Sequence, residues 1–170
     1  MKLLKNKRLL VYIFCFSLIY VSSAQYNDTL YYPFVERFTE GSLETNSWTK
    51  EGDNWAISDD NGSPAPSMRF NGLPIIEGIY SYSLTSTWIS LEDTELFPGI
   101  YLSFNLKIEA VTSNINSKLI VEILDDNEWK TIDIIYQEET NNQKIKYNLN
   151  SFITENFIRL RFRMVGINTI

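Results

Sequence analysis

Residues 100–109 read Ile-Tyr-Leu-Ser-Phe-Asn-Leu-Lys-Ile-Glu, and they decide the fold class. Ile100, Leu102, Phe104, Leu106 and Ile108 occupy every second position, with Tyr101, Ser103, Asn105, Lys107 and Glu109 between them. Five matches to a period of two describe a strand with one buried and one wetted face, because a helix would scatter the same residues around its circumference. The pattern returns at 157–165, where Ile158, Leu160, Phe162 and Met164 alternate with Arg159, Arg161 and Arg163. It also opens 80–91, setting Tyr80, Tyr82 and Leu84 against Ser81, Ser83 and Thr85.

Working outward, 118–124 and 129–135 flank Asp125-Asp126-Asn127-Glu128, the polar turn of a hairpin, and 143–149 is a further strand. Toward the N-terminus, 30–38 reads as a strand, but Pro33 cannot donate to a ladder. The segment therefore belongs at a sheet edge or breaks into two pieces. Gly41 and Asn46 punctuate the turn that follows. Residues 51–72 hold a strand at Trp55-Ala56-Ile57, the turn Asp59-Asp60-Asn61-Gly62, the loop Ser63-Pro64-Ala65-Pro66 and a short strand at Met68-Arg69-Phe70. Pro98-Gly99 marks another turn, and 151–156 suits a single helical turn. Eight or nine short strands with one apolar face, and no amphipathic helix, imply two antiparallel sheets stacked face to face, an all-β sandwich.

The first 24 residues have a different character. Lys2, Lys5, Lys7 and Arg8 precede an apolar run from 9 to 21, and Ser22-Ser23-Ala24 places small residues ahead of Gln25. That is the pattern of a cleaved export signal, and the run falls short of the ~20 residues a membrane-spanning helix needs. Cys15 follows Phe14 rather than a small residue, which argues against lipid attachment. Residues 25–30 read as a polar lead-in, and 31–170 as the domain.

Removing residues 1–24 leaves 146 residues without cysteine or histidine, carrying eleven Lys and Arg against twenty-one Asp and Glu, a net charge of −10. A chain of this size buries about 70% of its unfolded surface and needs no disulfide staples. Its charge repels nucleic acid and anionic lipid, leaving extracellular proteins, neutral glycans, cationic surfaces and divalent cations as partners. Without histidine there is no Ser-His-Asp triad, and without cysteine as well no ordinary zinc site. No E-x-D-x-E run of the laminarinase type is present. The expectation is a non-enzyme.

Among candidate ligand residues, Glu36, Asp53, Asn54, Asp59 and Asp60 carry the oxygen donors that calcium takes six to eight of, though their spacing matches no EF-hand loop. Asp59-Asp60-Asn61-Gly62 is equally well explained as a turn. Arg159, Arg161 and Arg163 form a basic row on an acidic protein. They would grip carboxylates or sulfates on a ligand, or pair with acids on neighbouring strands. Trp129, beside the hairpin tip, is the tryptophan best placed to meet a ligand, and Trp48, Trp55 and Trp88 suit core or rim.

The order of these pieces is itself informative. It runs from Glu36-Arg37-Phe38 through Trp48, Gly52-Asp53-Asn54-Trp55 and Met68-Arg69-Phe70 to Leu84-Thr85-Ser86-Thr87-Trp88-Ile89-Ser90-Leu91. The strand at 101–108, the hairpin with Glu128-Trp129-Lys130 and the closing Ile158-Arg159-Leu160-Arg161-Phe162-Arg163 complete it. This order resembles the MAM and cleaved-adhesin jelly-roll modules of secreted and surface proteins of Bacteroidota, over roughly residues 31–166.

The resemblance implies a two-sheet antiparallel jelly-roll β-sandwich acting in adhesion, or as an accessory carbohydrate-binding domain of a secreted hydrolase or peptidase. It also implies a structural Ca2+, with Glu36 and Asp53 at the matching positions and Asp59 added on chemical grounds. The family pattern continues into a last strand with an acidic residue beyond the Arg-rich one, so the expectation is a domain truncated before its final strand and part of a larger exported protein. Asp28-Thr29-Leu30 resembles an O-glycosylation triplet used by some Bacteroidota, which makes Thr29 a candidate acceptor.

Overall fold

The computed structural model describes residues 10–15, 29–39, 43, 47–62, 65–72, 76–92, 99–109, 117–136 and 140–168. Ser22-Ser23-Ala24, residues 25–28, Gly41, Asn46, Ser63-Pro64 and Pro98 lie outside the described residues. In chain order the strands are β1 (Leu10–Cys15), β2 (Leu30–Tyr31), β3 (Trp48–Lys50), β4 (Trp55–Ser58), β5 (Ser67–Asn71) and β6 (Gly78–Ser86). They continue as β7 (Ile89–Ser90), β8 (Tyr101–Glu109), β9 (Lys118–Asp125), β10 (Glu128–Tyr136), β11 (Thr140–Asn148) and β12 (Phe157–Asn168).

One sheet has the order β11-β8-β1-β5-β4, the other β10-β9-β12-β6-β3 with β7 attached to β12 and β2 to β7. Every described pair is antiparallel except β2 with β7. The fold is an all-β antiparallel sandwich.

The alternation that named the strands also fills the core. Leu102, Phe104, Leu106 and Ile108 of β8 are buried, as are Ile158, Leu160, Phe162 and Met164 of β12. Phe104 meets Phe162 across the two sheets edge to face, 5.1 Å between centroids. Each such side chain contributes ~1.5–3 kcal/mol by leaving water. A second aromatic run joins β4 and β5 to β6: Trp55 stands edge-on to Phe70 at 5.1 Å, Phe70 lies beside Tyr80 at 6.1 Å, and Tyr80 beside Tyr82 at 6.1 Å.

Residues 51–72 bind these pieces into one unit. The Glu51 amide donates to the Ser83 carbonyl (2.8 Å), and the Ser83 hydroxyl donates to Glu51 Oε2 (2.7 Å). Gly52 adopts a left-handed φ of 76° with the Tyr82 ring against it, where a Cβ would come within 3.0 Å of that ring. Asn54 closes a reciprocal pair with Asn71: its Nδ2 donates to the Asn71 carbonyl at 2.7 Å, and the Asn71 amide donates back to the Asn54 carbonyl at 2.8 Å.

Four local features depart from the sequence reading. In 30–38 only Leu30–Tyr31 is strand, because the chain breaks at Pro33. The 80–91 segment divides into β6 and β7 around Thr87-Trp88. Residues 151–156 form turns and bends rather than a helical turn. The fourth concerns the leader. Leu10–Cys15, within the stretch expected to be cleaved, form β1 in the middle of a sheet, paired with β5 on one side and β8 on the other. Val11-Tyr12-Ile13-Phe14 is β-branched and aromatic throughout, which suits an extended strand as well as an export signal.

Candidate binding surface

The outer face of the β10-β9-β12-β6 sheet gathers the residues singled out for ligand contact. Alternation on β12 puts Arg159, Arg161 and Arg163 on that face, each half-buried. On β9, Glu122 lies opposite Arg161 in register, and Leu124 lies opposite both Arg159 and Trp129. The guanidinium of Arg161 sits over the Trp129 ring, 3.9 Å from its centroid. That of Arg159 lies 5.7 Å from the Trp88 centroid. A band of two tryptophans and two arginines therefore crosses the sheet from β10 to the β6–β7 connection. Trp88 is 40% exposed.

Glu122 organises this face. It is only 3% exposed, and its carboxylate receives Arg161 Nε on Oε2 at 2.7 Å. Arg163 Nε reaches the same oxygen at 2.9 Å, and Arg163 Nη2 reaches Oε1 at 2.7 Å. Burial alone would raise the Glu122 pKa, but the two arginines outweigh it and hold the carboxyl below its ordinary value. The same bonds raise the Arg163 pKa. Arg159 donates Nε to the Ser86 carbonyl at 2.8 Å, and burial lowers its pKa. Arg161 and Arg163 thus stand in cross-strand ion pairs. Arg161 reaches Glu122 through Nε, and no hydrogen bond of its Nη1 or Nη2 is found among the described residues.

The candidate metal ligands are arranged differently. Glu36 is 9% exposed, and its oxygens accept the Trp48 Nε1–H at 3.0 Å and the Phe38 amide at 2.5 Å. Asp53 and Asp59 are exposed. Among the described residues no three Asp, Glu, Cys or His side chains gather into a possible metal centre, so these three do not form a carboxylate cage for a cation. Glu36 acts as a strut for Trp48, which packs on Phe38 at 6.0 Å and on Phe162 at 6.3 Å. A rise of several degrees in melting temperature with millimolar Ca2+, reversed by chelator, is the result the calcium expectation requires, since a ligand stabilises what it binds in the folded state, and an unchanged melt would remove it.

Glu36 also lines an apolar cavity of about 110 Å3 between the sheets, with Tyr32, Trp48, Leu102, Leu149 and Phe162 among its walls. Thr29 is half-buried, beside the hydrogen bond from the Leu30 amide to the Trp88 carbonyl.

Sequence reasoning did not single out two residues of the face. Glu122 stands alone as a carboxylate in Leu-Ile-Val-Glu-Ile-Leu, and its position opposite an arginine strand was the available signal. Trp88 continues the inward parity of Tyr80, Tyr82 and Leu84, and only the break after Ser86 turns it outward. The chain matches no protein-family model, no curated protein and no solved structure.

Proposed function

We propose that this chain is a non-catalytic, exported adhesion module of the jelly-roll type, carried by a larger surface or secreted protein. Its ligand is an extracellular protein that presents carboxylates to the Trp88–Arg159–Arg161–Trp129 band. The observation that carries this reading is the Arg161–Trp129 stack. It fixes a guanidinium at a half-exposed surface, with no hydrogen bond of its terminal donors found among the described residues, the arrangement that recognises carboxylates in a forked geometry. The lack of histidine, and of a defined carboxylate pair, supports binding rather than catalysis.

The accessory carbohydrate-binding reading draws on the same tryptophans. It is weaker because one face of Trp129 is already covered by Arg161, where a sugar ring would have to stack.

A printed panel of extracellular-matrix proteins and of neutral and sulfated glycans separates the two. Protein binding is expected to fall at least tenfold in Trp129→Ala with little change in stability, because that ring is half-exposed. Binding to neutral glycans alone would overturn the adhesion reading and favour the carbohydrate one.

A further inference from the structure

The outer face of the β10-β9-β12-β6 sheet changes chemistry along its length. Cross-strand register sets Ile134, Ile120, Arg163 and Ser83 in one row, and Tyr136, Lys118, Val165 and Ser81 in the next. Beyond these rows Ile167 of β12 lies opposite Ile79 of β6. On their outward positions three strands therefore turn apolar at the same end of the face: β10 after Thr131, β12 after Arg163, and β6 ahead of Ser81.

Contact with solvent does not call for this. The other outward residues of β6 are Ser81, Ser83 and Thr85, and the free face of an antiparallel sheet is ordinarily polar. Ile79 nevertheless stands 80% exposed, Tyr136 65%, Ile167 43% and Ile134 37%. With Trp88 and Phe157 at the opposite end, six of the eight exposed large hydrophobics among the described residues share this face. Clustering of this kind marks an interaction surface, whereas scattered single residues do not.

Charge narrows the occupant. Arg159, Arg161, Arg163 and Lys118 stand on this face with Glu122 and Glu51, so among the described residues it carries an excess of positive charge on an acidic chain. Two copies packed through it would set like charges against each other, which disfavours self-association. An acidic partner is complementary.

We propose that this face binds a partner protein through a two-part epitope, with carboxylates over Arg159 and Arg161 and apolar side chains over Ile134, Val165, Ile167 and Ile79. At about 3.3 Å per residue, Val165 lies ~13 Å from Arg161 along β12, and Ile167 ~20 Å. An extended partner segment lying along β12 therefore carries its apolar residues about four to six positions from its carboxylate. The carboxylates steer the encounter and make it salt-dependent, and the apolar end adds affinity by leaving water. This deepens the adhesion reading and rests on it for the class of partner.

The test is fluorescence anisotropy on the full chain with three labelled peptides. They are the two-part Glu-Glu-Ser-Gly-Ser-Ile-Ser-Ile, the acidic Glu-Glu-Ser-Gly-Ser-Gly-Ser-Gly and the apolar Ser-Gly-Ser-Gly-Ser-Ile-Ser-Ile. The two-part peptide is expected to bind at least tenfold tighter than either of the others. Ile79→Ser and Ile167→Ser, both at exposed positions that the fold does not depend on, are each expected to weaken it at least threefold. Equal binding of the two-part and acidic peptides, or no effect of either substitution, would overturn the proposal and leave the carboxylate reading standing. Equal binding of the two-part and apolar peptides would overturn both. A dimer of the chain that Ile79→Ser dissociates would overturn the proposal in favour of a second copy. The matrix-protein panel tests the adhesion reading separately, since silence there would sink that reading and leave the peptide ranking unchanged.

Discussion

Replacing Asp125 by alanine is expected to cost about 3 kcal/mol of stability, measured by urea unfolding of the full chain. Asp125 is the last residue of β9 and has no exposed surface. Its Oδ2 receives Lys130 Nζ and the Thr154 hydroxyl, each at 2.6 Å, and its Oδ1 receives the amides of Thr154 and Glu155, each at 2.9 Å. Lys130 also donates to the Phe152 carbonyl at 3.0 Å. One carboxylate therefore ties the β9–β10 hairpin to the turn that delivers the chain into β12.

Removing Asp125 strands two backbone donors and an ammonium. Lys130 is 31% exposed and recovers part of its hydration, which places the loss at the lower end of the range for a broken buried pair. A cost below about 1 kcal/mol would show that the turn is held by something else.

The same carboxylate sets an acid limit. Burial opposes its ionisation, but the hydrogen bonds from Lys130, Thr154 and Glu155 prevail and hold the Asp125 pKa well below its ordinary value of 3.8. A depressed folded-state pKa gives stability that is present above the unfolded value and is lost as pH falls through the folded one. Glu122 is shifted in the same direction. The wild-type chain should therefore hold its stability down to about pH 4 and lose it below. Asp125→Asn should give a flatter acid limb.

Replacing Trp55 by alanine is expected to cost about 3–5 kcal/mol, a large share of the ~5–15 kcal/mol that holds an ordinary domain. Trp55 is fully buried, pairs across β4 and β5 with Phe70, and donates its Nε1–H to the Tyr82 carbonyl at 3.3 Å in the other sheet. β4 is a four-residue edge strand, and this side chain ties it to β6 alongside the Glu51–Ser83 bonds that precede it. Trp129→Ala is the internal control, since a half-exposed ring should cost less than about 1 kcal/mol when removed. Equal losses at the two positions would contradict the assignment of one to the core and the other to the binding face.

The central strands were legible because their burial is one-sided. β8 and β12 bury the residues that period two assigns inward, and the β9–β10 hairpin turns on Asp126 and Asn127, both at positive φ, as a two-residue turn requires. β6 was half legible: Ser83 and Thr85, assigned to the wetted face, are buried because Glu51 and the arginines of β12 cover them.

Long-range partners left no local trace. Asp125 read as a hairpin tip, and Thr154 lies 29 residues away. Tyr147 of β11 donates to Asp133 Oδ2 of β10 at 2.5 Å, a tie between outer strands of opposite sheets. Burial and that carboxylate together raise the Tyr147 pKa well above its ordinary value. The pairing of Leu10–Cys15 was hidden for another reason: an unbroken apolar run has no period from which to read a face.

Of the candidate site, the basic row and Trp129 were visible as residues and brought together only by the fold. The closing measurement is hydrogen exchange on the full chain, with and without the strongest-binding matrix protein of the panel. The account predicts that exchange slows on binding at Glu128–Lys130, Thr87–Trp88 and Arg159–Arg163, around the guanidinium–tryptophan band. Unchanged exchange at all three, with protection elsewhere or nowhere, would contradict it.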